Sequence, residues 1–209
     1  MPRRVLTVGD LEAAVSGSEV LVSHDTIITA LAREEAVRRN ITIKVEGAQH
    51  ASPTQSGSSR IVALGADHGG FDLKEQLKEY LREWGYTALD LGTSSREAVD
   101  YPDFAEAVAN AVVRGDAWRG IVIDSAGIGS SIAANKVPGA RAALCYDRAT
   151  ARNSREHNDA NIISLGAKLI APEVAREIVA AWLEMVFAGG RHQKRVDKIT
   201  GIENRHLKT

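Results

Sequence analysis

Short apolar runs alternate with amphipathic stretches along the chain from residue 61 onward. The run 61–66 predicts a buried strand, and the segment 71–84 predicts a helix because its apolar side chains recur at intervals of three and four residues. The alternation then repeats, with strands predicted over 87–91, 120–123, 140–145 and 162–165, and helices over 101–114, 132–136, 149–156 and 173–187. Strands that alternate with helices predict an α/β fold in which helices cover both faces of a parallel sheet.

The part of the chain before residue 61 has a different pattern. Residues 47–60 are polar, rich in Gly and Ser, and contain Pro53, which is typical of a linker. Residues 1–46 predict a helix over 10–15, a strand over 19–23, a helix that starts at Asp25 or Thr26 and runs to residue 40, and a strand over 41–45. We therefore divide the chain into an N-terminal extension (1–46), a linker (47–60) and a main domain (61–209).

Composition narrows the class of protein. The 26 Lys and Arg residues nearly balance the 27 Asp and Glu residues, which argues against a nucleic-acid partner or a membrane-surface role. Cys145 is the one cysteine, so the chain has no intrachain disulfide and no cysteine-based zinc site. No apolar run reaches the roughly 18–20 residues of a membrane span, and no secretory leader is evident. We expect a soluble cytoplasmic protein.

The segment 121–131 carries the most informative motif. An apolar strand, 121–123, ends at Asp124 and is followed by a turn of small residues, 125–131. Glycines allow a close approach of the backbone to a ligand, and open α/β sheets hold their chemistry at strand tips. Asp124 is either a general base whose pKa is raised by burial, or a cap for the turn. A dinucleotide motif is excluded because Ile132 stands where the third glycine of G-x-G-x-x-G belongs.

Two further candidate sites each contain a histidine in polar surroundings. Asp67 and His68 follow the first strand of the main domain and suit contact with a ligand, although Asp67 or Asp72 could simply cap the next helix. His157 lies in the polar segment 152–161, and a histidine titrates near neutral pH, as proton transfer requires. Taken alone, His157 is more consistent with a solvated loop.

The basic C-terminal segment supplies two arginines. Arg191 and Arg195 are four residues apart, so a helix would place both on one face. Guanidinium groups match the geometry of phosphate oxygens. The alternative is a solvated basic tail without a ligand.

Together, five segments resemble the family of ribose-5-phosphate isomerase type B and the galactose-6-phosphate isomerase subunits. They are GADHGGFDLKEQLKEYL, LGTSSREAVDYPDFAEAVA, GIGSSIAANKVPGARAAL, ARNSREHNDANIISLGA and GGRHQKRVDKI, in the family's order between residue 61 and about residue 202. The resemblance implies a flavodoxin-like (Rossmann-like) three-layer αβα sandwich with a five-stranded parallel sheet. It also implies homodimers or homotetramers with active sites at the subunit interface. The implied chemistry is aldose–ketose isomerisation of a sugar phosphate through a cis-enediolate, without metal or cofactor.

The resemblance also implies residue roles. Asp67 and His68 would hold sugar hydroxyls and phosphate, and the backbone of 127–129 would stabilise the enediolate. The predicted substrate-binding residues are Asp67, His68, Tyr101, Ser125, Gly127, Ile128, Gly129 and Ser130. The predicted phosphate-binding residues are His68 and, from the partner subunit, Arg191 and Arg195. The predicted catalytic residues are Asp124, His157, which would assist ring opening, and Asn158 beside it.

One departure from the family pattern affects the chemistry directly. The type B enzymes read Cys-Gly-Thr-Gly-x-Gly where this chain reads Asp-Ser-Ala-Gly-Ile-Gly, so Asp124 replaces the catalytic cysteine and Ala126 replaces a threonine. Another branch places a glutamate base where Ser130 stands, a role that serine cannot take. Three interpretations remain open. Asp124 is the base, which we favour; the substrate is a different one, such as a tetrose phosphate, which is compatible with the first; or the pocket binds sugar phosphate without turnover.

The N-terminal extension lies outside the resemblance. Its amphipathic segments predict either docking to an assembly, including the shell of a bacterial microcompartment, or a small subdomain that packs on the oligomer. The corresponding locations are the cytoplasm and the microcompartment lumen.

Overall fold

The structure of the chain is a computed structural model. It describes residues 60–207 without a gap and, before them, residues 5–12, 14, 15, 18–23, 26–28, 32, 35, 36, 39 and 41–46. The chain forms two compact units, Met1–Gly57 and Ser58–Thr209. The predicted linker, 47–60, lies outside the described residues except for Arg60.

A five-stranded parallel sheet forms the centre of the larger unit. Its strands are β5 (Ile61–Ala66), β6 (Thr87–Asp90), β7 (Arg119–Asp124), β8 (Ala142–Leu144) and β9 (Ile162–Gly166), in the order β6-β5-β7-β9-β8. The apolar runs of the sequence supply these strands, and their side chains are buried on both faces of β5, β7 and β9. The predicted sheet is confirmed.

Helices cover both faces of this sheet, which confirms the three-layer arrangement. They are α2 (Phe71–Glu83), α3 (Tyr101–Arg114), α4 (Ile128–Ala134), α5 (Arg148–Asn158), α6 (Pro172–Glu184) and α7 (Gln193–His206). The apolar faces of α2, α5 and α6 pack in one core cluster, and those of α3 and α4 pack in the other. No helix within the described ranges is both long and apolar enough to cross a membrane.

The starts of two helices affect candidate residues. Helix α4 begins at Ile128 rather than at residue 132, so part of the predicted turn is its first helical turn. Helix α7 begins at Gln193, so Arg191 precedes the helix and does not share a helical face with Arg195.

The smaller unit contains short parallel pairs of strands. Its elements are β1 (Val5–Leu6), α1 (Val8–Glu12), β2 (Glu19–Ser23), β3 (Ile27–Ile28) and β4 (Thr42–Glu46), with β1 paired to β3 and β2 paired to β4. The predicted start of a helix at residue 25 or 26 is wrong, because Ile27–Ile28 is a strand. A small core of its own holds the unit together, including Leu6, Leu11 and Ile41.

All five strands of the main sheet run in one direction, so the sheet has a carboxyl edge, where the strands end, and an amino edge, where they begin. Arg119 at the start of β7 marks the amino edge, and its buried guanidinium donates to the carbonyl oxygens of Trp182, Leu183 and Met185 at 2.7–3.0 Å. Burial lowers the pKa of Arg119 to about 9. These hydrogen bonds fix the end of α6, from which the chain continues toward Arg191.

Candidate active site

Asp124 ends β7 at the carboxyl edge, and main-chain N–H groups surround its carboxylate. Oδ1 accepts hydrogen bonds from the N–H of Ala126, at 2.8 Å, and of Gly127, and Oδ2 accepts from the N–H of Ser130 at 2.9 Å. The Ser130 side chain also hydrogen-bonds the carboxylate. Asp124 is 5% exposed. The carboxylate therefore folds the turn around itself and explains why α4 starts as early as Ile128.

The pKa of Asp124 results from two opposing effects. Burial raises it, but the hydrogen bonds from the Ser130 side chain and from the N–H groups of Ser130, Gly127 and Ala126 together outweigh burial, so the pKa is lowered. The expected raised pKa is therefore wrong. An apolar strand predicts burial, but it does not show how many donors meet the buried charge.

The lowered pKa predicts how the stability of the protein falls at acid pH. Because the folded pKa lies below the unfolded value of about 3.9, the contribution of Asp124 is complete above that pH and is lost as the pH falls through the folded pKa. We expect the urea unfolding midpoint of Asp124→Asn to fall less than that of wild type as the pH is lowered. At neutral pH it should cost about 1–3 kcal/mol, since the asparagine amide cannot accept from every donor. Asp72→Asn, at an exposed aspartate, is the control, and an equal fall of the midpoint in wild type and Asp124→Asn would contradict the assignment.

Two residues that the sequence did not indicate as part of the site form hydrogen bonds to carbonyl oxygens of this turn. The Tyr146 hydroxyl donates to the carbonyl oxygen of Ala126 at 2.9 Å, and the Ser164 hydroxyl donates to that of Gly127 at 2.6 Å. Ser164 is fully buried in the apolar strand β9. A polar residue inside such a strand was the one available signal, since it must find a partner.

Other predicted substrate-binding residues gather around the same turn. Asp67 follows β5, and its Oδ1 accepts from the N–H of Gly70 at 3.0 Å, so it caps the turn before α2. His68 is exposed, with Nδ1 3.2 Å from the carbonyl oxygen of Val99. The Tyr101 ring covers Gly129 so closely that an ideal Cβ there would lie 2.5 Å from the ring. These groups lie at the carboxyl edge, with Ser125 beside Gly69.

Gly129 controls the position of Tyr101, which leads to a prediction. Gly129→Ala would force the ring, 39% exposed, away from the turn without disturbing the core. We expect the variant to fold with an unchanged unfolding midpoint and to lose between about tenfold and a hundredfold in kcat/KM, since small misplacements of a binding group are costly. Gly201→Ala in α7 is the matched control because its Cβ meets nothing closer than 3.7 Å. Equal kcat/KM in both variants would remove Tyr101 from the site.

A second group of predicted residues lies at the amino edge. His157 is in the last turn of α5, and its Nδ1 is 2.8 Å from Asn153 Nδ2. Its ring stacks on His192, which Arg191 and Arg195 contact through their guanidinium nitrogens. The neighbouring Asn158 is exposed and lines a separate cavity of about 680 Å³ between β8 and α7.

The structure does not bring the two groups together within one chain. Asp124 and Asp67 lie where strands end, whereas His157 lies where α5 returns to the start of β9, and Arg191 follows α6 to the same edge. Strand β7 has six residues, and a rise of about 3.3 Å per residue separates the edges by about 17 Å. Among the described residues, no hydrogen bond, ion pair or ring contact links the two groups.

The described side chains include neither a reactive thiolate nor a cluster that could bind a metal ion. Cys145 is buried after β8, and burial raises the pKa of its thiol, so it has the character of a core residue. Within the parts of the chain that the structure describes, no three His, Cys, Asp or Glu side chains cluster as a metal site would need.

Comparison with known proteins gives the family. The profile described as Ribose/Galactose Isomerase matches residues 62–199. Ribose-5-phosphate isomerase B of Escherichia coli is 46% identical over 144 residues, covering 69% of this chain and 97% of that protein. D-erythrulose-4-phosphate isomerase of Pectobacterium atrosepticum is 42% identical over 144 residues, covering 68% and 95%. The ribose-5-phosphate isomerase B structure from Clostridium thermocellum is 51% identical, with a TM-score of 0.69, and the match covers 70% of this chain and 99% of that one. The chain therefore belongs to the ribose/galactose isomerase family of sugar-phosphate isomerases.

Proposed function

We propose that this chain interconverts an aldose phosphate and a ketose phosphate through a cis-enediolate, with Asp124 as the base. Ribose 5-phosphate and ribulose 5-phosphate are the first pair to test, and a tetrose phosphate is the alternative. Relatives named for a five-carbon and for a four-carbon sugar phosphate are similarly close, at 46% and 42% identity. The observation that carries the proposal is the Asp124 carboxylate at the carboxyl edge, bound by the N–H groups of the turn that Tyr101 covers at Gly129. Its pKa is lowered.

The proton transfers balance without an external reagent. The base takes the proton from C2 of the open-chain aldose and returns it to C1, while a second proton moves from the oxygen on C2 to the oxygen on C1. A lowered pKa keeps Asp124 in the form that accepts a proton at neutral pH, although it also reduces the driving force. The Ser130 hydroxyl is the donor that can rotate away without moving the backbone, and its rotation would free a lone pair for the carbon-bound proton.

Fewer N–H groups of the turn are available to an enediolate oxygen than the sequence predicts. The Gly127 N–H already donates to Asp124, as do those of Ala126 and Ser130. The N–H groups of Ile128 and Gly129 lie in the first turn of α4, where no acceptor exists within the helix. We assign the developing charge on the enediolate oxygens to these two donors.

The same proposal requires a second copy of the chain. His157, Arg191 and Arg195 face the amino edge, so they can serve a site at the carboxyl edge only if a partner subunit presents them. A symmetric dimer does this twice, because the same two surfaces meet in each site. We therefore propose a homodimer, or a homotetramer built from such dimers, with sites composed of both subunits.

A second function is favoured by one observation. A carboxylate has about four lone-pair sites, and the hydrogen bonds to Asp124 from three N–H groups and the Ser130 side chain occupy them. If these bonds persist when substrate binds, the pocket recognises sugar phosphate without turnover.

A substrate panel separates the two functions. The protein is incubated with ribose 5-phosphate, ribulose 5-phosphate and four-carbon aldose and ketose phosphates, and conversion is followed by proton NMR while binding is measured by calorimetry. The proposal predicts conversion of at least one pair. Binding of a member with no conversion of any would reject it in favour of the binding protein.

For residues 1–46 we propose docking to an assembly partner, such as the shell of a microcompartment. The unit has a core of its own and exposes Leu21 and Val15. We expect deletion of residues 1–60 to leave the oligomer and its activity intact while co-sedimentation with the assembly is lost. An insoluble or monomeric product would show that the unit is instead structural.

A further inference from the structure

His192 lies at the centre of the amino-edge group, although nothing in the proposed chemistry assigns it a role. It is 8% exposed, and its ring lies parallel to the ring of His157, with centroids 4.1 Å apart and planes 3° apart. A face-to-face contact at that separation limits the rotation of the His157 ring. Asn153 holds Nδ1 of His157, and Nε2 is 3.9 Å from Glu156 Oε1, beyond hydrogen-bond distance. The ring stack and the hydrogen bond together leave Nε2 as the His157 nitrogen that can contact a ligand.

The edges of the His192 ring contact the two arginines. Arg191 Nε is 3.3 Å from Nε2, and Arg195 Nη1 is 3.4 Å from Nδ1. A guanidinium can only donate, and a neutral imidazole has one acceptor nitrogen, so His192 accepts from one arginine at a time and must be neutral to do so. Burial, followed by the charges of His157, Arg191 and Arg195, lowers the pKa of His192, and Glu156 acts in the opposite direction. The surroundings therefore favour the neutral ring.

We infer that His192 is a positioning residue: its ring face orients His157, and its acceptor nitrogen restrains one of the two arginines, Arg191 or Arg195, beside the other for a phosphate group. The inference rests on the proposed function and deepens it, because it names the residue that aligns the ring-opening group with the phosphate-binding pair. This pair of otherwise exposed arginine side chains would lose less conformational freedom on binding phosphate if one of them is already restrained.

Two substitutions separate the ring face from the ring nitrogens. His192→Phe keeps an aromatic face and removes both nitrogens, whereas His192→Gln keeps a hydrogen-bonding group and removes the face. In the full-length protein, we expect His192→Phe to weaken inorganic phosphate binding by about threefold to tenfold and to raise KM with kcat nearly unchanged. We expect His192→Gln to bind phosphate within about twofold of wild type but to lower kcat.

Proton NMR of the histidine rings tests the stack without turnover. In the wild-type protein, we expect a nuclear Overhauser effect between the rings of His157 and His192, and an upfield position of the His157 ring protons. The upfield shift of the His157 ring protons should persist in His192→Phe and disappear in His192→Gln. An unchanged His157 shift in His192→Gln, or no effect between the rings in wild type, would overturn the orienting role. Wild-type phosphate affinity in His192→Phe would overturn the role toward the arginines.

These readouts stay separate from the proposed function. If no sugar phosphate is converted, the ring shifts and the phosphate titration still decide whether His192 positions its neighbours. If conversion occurs but the shifts and affinities do not change, the isomerase stands and the positioning role fails.

Discussion

Asp124→Asn should lower kcat by about 10²- to 10⁴-fold, the usual contribution of a positioned acid or base, while the Kd for the sugar phosphate changes little. An amide has almost the shape of a carboxylate but cannot accept a proton at neutral pH. Arg191 and Arg195, which we propose bind the phosphate from the partner subunit, are unchanged in this variant, so binding should be retained. Turnover is measured by NMR with the preferred sugar phosphate, and binding by calorimetry.

The control must separate chemistry from stability, because Asp124 also holds the turn. Asp72→Asn makes the same chemical change at an aspartate that is 63% exposed and paired with Arg96. Unfolding midpoints of both variants show whether Asp124→Asn is folded under assay conditions. A folded Asp124→Asn that retains wild-type kcat would remove Asp124 from the proton transfer.

Mixing two inactive variants should restore activity. Asp124→Asn lacks the proposed base at the carboxyl edge, and the double variant Arg191→Gln/Arg195→Gln lacks the proposed phosphate-binding pair at the amino edge. If each site takes its two halves from different subunits, a hybrid dimer has one intact site and one site with both defects. Random exchange makes half of the dimers hybrid, so the mixture should reach about a quarter of wild-type activity.

A triple variant provides the control for this experiment. When Asp124→Asn is mixed with a chain that carries all three substitutions, every site lacks the base, and activity should stay at the background level. Native mass spectrometry confirms that hybrids form. Hybrids with no recovered activity would contradict a site shared between subunits.

The strands of the main sheet could be read from the sequence, whereas the start of α4 could not. Strands β5, β7 and β9 are continuous apolar runs, and burial on both faces requires such runs. Residues 128–131 are Ile-Gly-Ser-Ser, a weak helix-forming sequence. The helix begins there because a carboxylate six residues before Ser130 accepts its N–H, which is a contact in three dimensions rather than a pattern along the chain.

The same limit explains the pKa of Asp124 and the role of His192. Sequence predicts that a residue after an apolar strand is buried, and burial alone raises the pKa of a carboxyl group. The donors that reverse the shift come from a turn whose geometry is set by Ser164 and Tyr146. The stack of His192 on His157 joins the turn before α7 to the end of α5, so spacing could indicate only a basic segment.

Solvent deuterium exchange tests the role of Asp124 most directly. Wild type, Asp124→Asn and Asp124→Cys/Ala126→Thr, which restores the family's thiol and hydroxyl, are incubated in heavy water with the sugar phosphates, and deuterium at C1 and C2 is measured by NMR. We predict deuterium incorporation with wild type and none with Asp124→Asn. No exchange by wild type, together with exchange by the cysteine–threonine variant, would show that Asp124 only holds the turn and that this pocket binds sugar phosphate without transforming it.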